Sequence, residues 1–226
     1  MLFIGSFLLL GLLTFEGLAQ DWANLKRFQQ DNLELVSPEP GEARVVFMGN
    51  SITEGWSKKR PRFFIGKPYV NRGISGQTTP QMLLRFRQDV IRLEPAVVVI
   101  LAGINDIAGN TGPATIQSIA DNIISMIQLA AANDIEVVIC SVLPASYFPW
   151  KPDLNPGEKV LELNTILKQY AMDNNLVYVD YHSPMVNDEL GLKKDLGYDG
   201  VHPNAAGYFM MEPLVEAGIR EALQKK

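Results

Sequence analysis

Between residues 96 and 101 the chain reads Ala-Val-Val-Val-Ile-Leu, an apolar run with no polar residue alternating in it. A strand with one wet face alternates, whereas a continuous run suits a strand covered on both faces, as in a parallel sheet. Four more segments of strand type accompany it, at 44–48, 69–71, 136–140 and 176–180. Helix-period stretches lie at 80–93, 115–133, 157–174 and 205–224, and a further helix is expected after Ser51. Residues 21–35 read as an N-terminal helix that Ser37-Pro38-Glu39-Pro40-Gly41 breaks. Strands and helices alternating through short turns imply right-handed crossovers. The expected architecture is therefore α/β, a doubly wound parallel sheet of five strands with helices on both faces. Ligands of such sheets sit beyond the C-terminal strand ends, where the strand order reverses.

Residues 1–19 stand apart. They are almost wholly apolar and end in Gly17-Leu18-Ala19, which places small residues at −3 and −1 of a cleavage site before Gln20. That is the pattern of a secretory signal peptide, although no Lys or Arg precedes the apolar run. The expectation is a leader at 1–19 and one domain at 20–226, secreted or periplasmic, without stable membrane insertion once the leader is cut. No repeat, low-complexity tract or linker divides the rest.

Composition narrows the chemistry. A single cysteine, Cys140, excludes an internal disulfide, and two histidines are too few for a Cys/His zinc cluster; the chemistry read below is expected to need no metal or organic cofactor. Cys140 lies within a strand run and reads as a small core hydrophobe. A net charge of −5 without a basic stripe argues against nucleic acid as a partner.

Polar residues gather where the strands end. The first strand runs into Gly49-Asn50-Ser51-Ile52-Thr53, the second into Arg72-Gly73-Ile74-Ser75-Gly76-Gln77, and the third into Gly103-Ile104-Asn105-Asp106. Asp199-Gly200-Val201-His202-Pro203-Asn204 precedes the last helix. In a doubly wound sheet all four would meet at one edge. A serine hydroxyl becomes a nucleophile when a histidine takes its proton and a carboxylate orients that histidine. Ser51, His202 and Asp199 fit those roles, since a spacing of three lets one turn hold both Asp199 and His202. The oxyanion needs fixed donors, for which the Ser51 N–H, the Gly76 N–H and the Asn105 amide are candidates. Asp106 reads as a brace of its loop, and His182 as a surface loop residue. The Pro-rich stretch 144–156 brings Tyr147, Phe148 and Trp150 beside Lys151 and Asp153, a mixture suited to stacking on a sugar and bonding its hydroxyls.

These four blocks resemble those of the GDSL/SGNH hydrolases, a family named for Ser, Gly, Asn and His. Here they match Ser51 in GNSIT, Gly76 in NRGISGQTT, Asn105 in GIND and His202 in DGVHPN. The chain is most similar to the branch of platelet-activating-factor acetylhydrolase subunits and bacterial carbohydrate acetylesterases. The resemblance implies the flavodoxin-like fold and an esterase that acts on a small-molecule or oligosaccharide ester without a cofactor. One departure is Asn50, where the family usually has Asp before the nucleophile. The expected function is removal of a short acyl group, acetyl above all, from a carbohydrate-like carrier. A lipid-directed acetylhydrolase or lysophospholipase is the alternative; a carbohydrate-binding module on the same fold is the non-enzymatic one.

Overall fold

The computed structural model describes residues 21–225, so the expected leader lies outside the described residues. Five strands, β1 (Val45–Gly49), β2 (Tyr69–Gly73), β3 (Val97–Leu101), β4 (Glu136–Cys140) and β5 (Val177–Val179), form one sheet in the order β2-β1-β3-β4-β5. Every neighbouring pair is parallel. Every residue of β1 and β3 is buried, as the continuous apolar runs require.

Strand order decides where the helices go. The chain steps from β1 outward to β2, then back across to β3, β4 and β5, so right-handed crossovers put the first connection on one face and the rest on the other. Accordingly α2 (Ser51–Lys59) packs with the C-terminal α8 (Ala205–Lys225), while α3 (Thr79–Asp89) packs on α5 (Ile116–Ala131), and α5 on α6 (Gly157–Asp173). The reversal falls between β1 and β3. Register brings Gly49 level with both Gly73 and Leu101, so the segments after β1, β2 and β3 leave the sheet side by side.

The start of α2 is fixed from below by aromatic packing. Trp56 is buried, stacks on Phe63 at 5.0 Å and meets Phe47 of β1 edge-on at 5.9 Å. Truncating a buried tryptophan of this kind to alanine costs about 3–5 kcal/mol.

The N-terminal segment departs from expectation. Its only helix is α1 (Gln29–Glu34), and residues 22–28 form turns, with Asn24 at φ +55°. Three glutamine side chains, Gln77, Gln81 and Gln88, donate to the carbonyls of Ala23, Trp22 and Leu25 at 2.6–2.7 Å. Carbonyls drawn outward in this way do not close helical turns, and the segment straps across α3 instead. Two single-turn helices, α4 (Ile104–Ile107) and α7 (His182–Met185), also lie in what read as loops.

Candidate active site

Ser51 is the first residue of α2, reached directly from β1 through Asn50. The Asn50 side chain caps the helix by accepting from the Ile52 N–H at 3.0 Å. Across the cavity, Ser51 Oγ lies 2.9 Å from His202 Nε2, and His202 Nδ1 lies 2.7 Å from Asp199 Oδ2. The carboxylate can only accept, so the imidazole proton sits on Nδ1 and Nε2 is left as acceptor for the serine hydroxyl.

The turn holding this pair is closed on itself. Asp199 Oδ1 accepts from the N–H groups of Val201 and His202, at 3.0 and 2.8 Å, and the Tyr198 N–H donates to the His202 carbonyl. Burial works against ionisation of Asp199, but the bonds it accepts from His202 and Val201 outweigh it and hold its pKa below the usual carboxylate value. The Tyr198 ring stacks on the imidazole at 5.6 Å and 16°.

The opposite wall comes from the segments after β2 and β3. A cavity of about 290 Å³ is lined by Ser51, Ser75, Gly76, Asn105, Asn110, Trp150 and His202. Gly76 has φ +78°, a conformation that only glycine adopts without strain. Among the described residues, the N–H groups of Ser51 and Gly76 find no acceptor in the chain, which leaves both available to a ligand. Asn105, on α4, donates one amide hydrogen to the Gln77 carbonyl at 2.9 Å, which orients the side chain and leaves its second hydrogen unassigned. Asp106 turns away from the cavity: its carboxylate accepts from the Thr79 N–H at 2.9 and 3.0 Å and from its hydroxyl at 2.6 Å, tying α4 to the start of α3. Burial raises its pKa to about 6 despite those bonds. It is a brace, as the sequence implies.

The three aromatic residues of the 144–156 loop separate. Trp150 lines the cavity, 44% exposed, with its ring 6.1 Å from that of His202. Phe148 is fully buried beneath it, 5.2 Å away, and cannot form part of a substrate wall. Tyr147 lies against Gly200, where a Cβ would meet its ring at 2.7 Å, and borders a recess on the far side of the Asp199 turn. It supports that turn rather than lining the cavity beside Ser51. Lys151 anchors the loop by donating to the Ala108 and Gly109 carbonyls just after α4, at 2.5 and 3.3 Å.

His182 is not the surface residue expected. It starts α7, buried, with its N–H on the Ser141 hydroxyl at 2.9 Å. Its Nε2 has no partner among the described residues, and burial lowers its pKa while Asp180 opposes the shift. It does not reach the Ser51 cavity and is no second base there.

Ser75 and Asn110 also line the cavity, a role the sequence pattern does not mark. Asn110 Nδ2 donates to the Gly76 carbonyl at 3.2 Å, and its N–H to the Asn105 carbonyl at 3.0 Å. Its signal was faint: a second asparagine five residues after Asn105, in a Gly-Asn-Thr-Gly turn.

The GDSL-like lipase/acylhydrolase family, represented by its sequence model, matches residues 47–209. The chain belongs to that family. The match begins in β1 and ends in α8, so it spans Ser51, Gly76, Asn105, Asp199 and His202 in one stretch, and the matched domain is an ester hydrolase of the GDSL type. A solved GDSL-like lipase from Bacteroides thetaiotaomicron is 48% identical and superposes with a TM-score of 0.87, covering 88% of this chain and 98% of its own. An acetylxylan esterase of Xylanibacter ruminicola is 28% identical over 227 residues, covering 82% of this chain and 45% of its own length. One from Geobacillus stearothermophilus is 26% identical over 163 residues, covering 70% of this chain and 73% of its own. The chain thus spans less than half of the Xylanibacter relative's length and about three quarters of the Geobacillus one's.

Proposed function

We propose that this chain is a serine esterase that removes acetyl groups from a carbohydrate carrier outside the cytoplasm. The continuous line from Ser51 Oγ through the His202 ring to Asp199 is the observation that supports it most. In the acylation step Ser51 attacks the ester carbonyl carbon as His202 Nε2 takes the hydroxyl proton. Asp199 holds the imidazole in the required tautomer and stabilises the cation that forms. The oxygen that becomes negative faces the Ser51 and Gly76 N–H groups and the Asn105 amide, donors set in place before reaction. Collapse of the tetrahedral intermediate breaks the bond to the alcohol, which leaves with the proton from His202. Water then attacks the acyl-enzyme by the same sequence and regenerates Ser51.

Substrate class follows from the surroundings of Ser51. Five of the seven residues around the cavity are polar, a lining that suits an acetyl group better than a long acyl chain. Past Trp150 a recess of about 720 Å³ continues along Gly109, Pro113 and the segment Lys151, Pro152, Asp153 and Leu154. An exposed indole beside charged groups suits a sugar ring with its hydroxyls. The two acetylxylan esterase relatives support the same reading. The apolar 1–19 segment supports export, and no described helix is long and apolar enough to cross a membrane.

The test is acetate release by the purified enzyme from acetylated xylan and acetylated sugars, alongside p-nitrophenyl acetate and octanoate. Acetate esters should be preferred, and Ser51→Ala should lose at least ~10³-fold in kcat/KM. Rates that climb steadily with acyl length would remove the short-acyl claim. Release from acetyl phospholipids but from no glycan would give the site to a lipid ester. A Ser51→Ala enzyme as fast as the parent would overturn the serine mechanism itself.

A further inference from the structure

Among the described residues Arg85 is the one arginine with no exposure at all, and the mechanism above makes no use of it. It sits on α3, and each of its three guanidinium nitrogens has a different acceptor. Nε donates to the Gln77 side-chain oxygen at 2.5 Å, Nη1 to Asp89 at 3.1 Å, and Nη2 to the Gly49 carbonyl at 3.1 Å. Gly49 ends β1, two residues before Ser51. Gln77 follows Gly76, and its backbone carbonyl is the acceptor that orients Asn105. We infer that Arg85 is a positioning residue that sets the spacing between the nucleophile and the oxyanion donors, by joining the end of β1 to the Gly76–Gln77 turn through one rigid fork. This rests on the serine esterase reading above.

Several observations favour this role over a purely stabilising one. An ion pair buried as completely as Arg85–Asp89 is a poor source of stability, because desolvating both charges offsets their attraction. A single bond to Asp89 would satisfy the charge; the other two donors go to the backbone and side chain that flank the reacting groups. Gln77 is itself held at both ends, with its side-chain amide donating to the Ala23 carbonyl of the N-terminal strap at 2.7 Å. Gly49 O also accepts from the Ile74 N–H at 3.1 Å, so strand end and turn already touch, and Arg85 fixes the angle between them. A lysine cannot replace this, since one ammonium on a flexible stem does not span three acceptors in a plane.

Three variants test it on p-nitrophenyl acetate, with thermal unfolding recorded for each and Ser51→Ala as control. Arg85→Lys keeps a cation beside Asp89. The pair Arg85→Met with Asp89→Asn removes the charges together and keeps an acceptor for Asn32, which donates to Asp89 at 2.7 Å. Gln77→Met leaves the ion pair and the backbone carbonyl in place and cuts the link, together with the bond to the Ala23 carbonyl, whose loss the thermal unfolding reads. Folded variants should show kcat lowered about 10²-fold with KM within about threefold, because a displaced donor set harms the transition state more than the bound ester. Affinity for a boronic acid that forms a tetrahedral adduct on Ser51 should fall in step with kcat. Should the double variant not fold, Gln77→Met decides. Arg85→Lys or Gln77→Met with the parent Tm and the parent kcat overturns the inference, as does a loss confined to KM. If Ser51→Ala is active in the same assay, the esterase reading fails; if it is inactive while the Arg85 and Gln77 variants match the parent, the positioning role alone fails.

Discussion

The two walls of the Ser51 cavity are built in opposite ways. The acid–base wall is a single turn: Asp199 bonds Val201 and His202 and orients the imidazole, all within four residues. The oxyanion wall is assembled from pieces remote in the chain. Asn105 bonds Gln77 across 28 residues, Asn110 bonds Gly76 across 34, and Arg85 reaches Gly49 across 36. A local turn can form its geometry as soon as its residues are fixed, whereas the other wall exists only once β1, β2 and β3 lie side by side. The first should therefore fail at the residue that is changed, and the second by a loss of register among several.

The largest test of that contrast is Asp199→Asn. The turn should keep its shape, because an amide oxygen still accepts from the backbone, yet kcat should fall by about 10⁴ as the wrong tautomer of His202 is favoured. An unchanged rate would show that another group orients the ring. Next comes Asn105→Ala, expected to cost about 10²–10³ in kcat while KM stays near its parent value. Losing the bond to Gln77 should also lower stability by about 1–3 kcal/mol, because a buried carbonyl is left unpaired. A change in KM alone would reassign Asn105 to ground-state binding.

A smaller effect concerns the brace. Asp106 has its pKa raised to about 6 in the folded protein from a usual value of 3.8, so the folded state prefers the protonated acid. Its contribution to stability is fully present below pH ~4 and is lost as pH rises through ~6, a change on the order of 3 kcal/mol. Denaturant unfolding at a series of pH values should show that decline in the parent and a flatter profile in Asp106→Asn. Equal slopes would place the proton elsewhere. The smallest effect belongs to Asn50→Asp, since a carboxylate can cap the Ile52 N–H as the amide does and suits a helix N-terminus. Folded but inactive protein would mean that the donors of the Asn50 amide matter.

The same contrast explains what the sequence disclosed. The strands were legible because a sheet covered on both faces writes continuous apolar runs, and Asp199 with His202 because three residues suffice to bring them together. Arg85, Asn110 and the strap at 22–28 were not, since each depends on partners tens of residues away. The Gln77, Gln81 and Gln88 side chains that hold the strap look like ordinary residues of a helix and the turn before it until the fold shows whose carbonyls they bond. Phe148 and Trp150 illustrate another limit. In an irregular loop no period says which ring faces inward, and one went to the core and the other to the cavity. His182 is similar: the sequence marks a strand end, but its burial depends on α7 and on Ser141 of the neighbouring strand end.

Cys140 closes β4 near the middle of the sheet, and burial pushes its thiol up to about 12. At neutral pH that disfavours the thiolate, the form that alkylating reagents attack, and burial keeps reagents from reaching the sulfur. The native chain is thus blind to iodoacetamide, while the unfolded chain presents one ordinary thiol. Nature has left a single-site clock in the molecule: the rate at which label appears on Cys140 measures how often the sheet opens, without any probe being added to it.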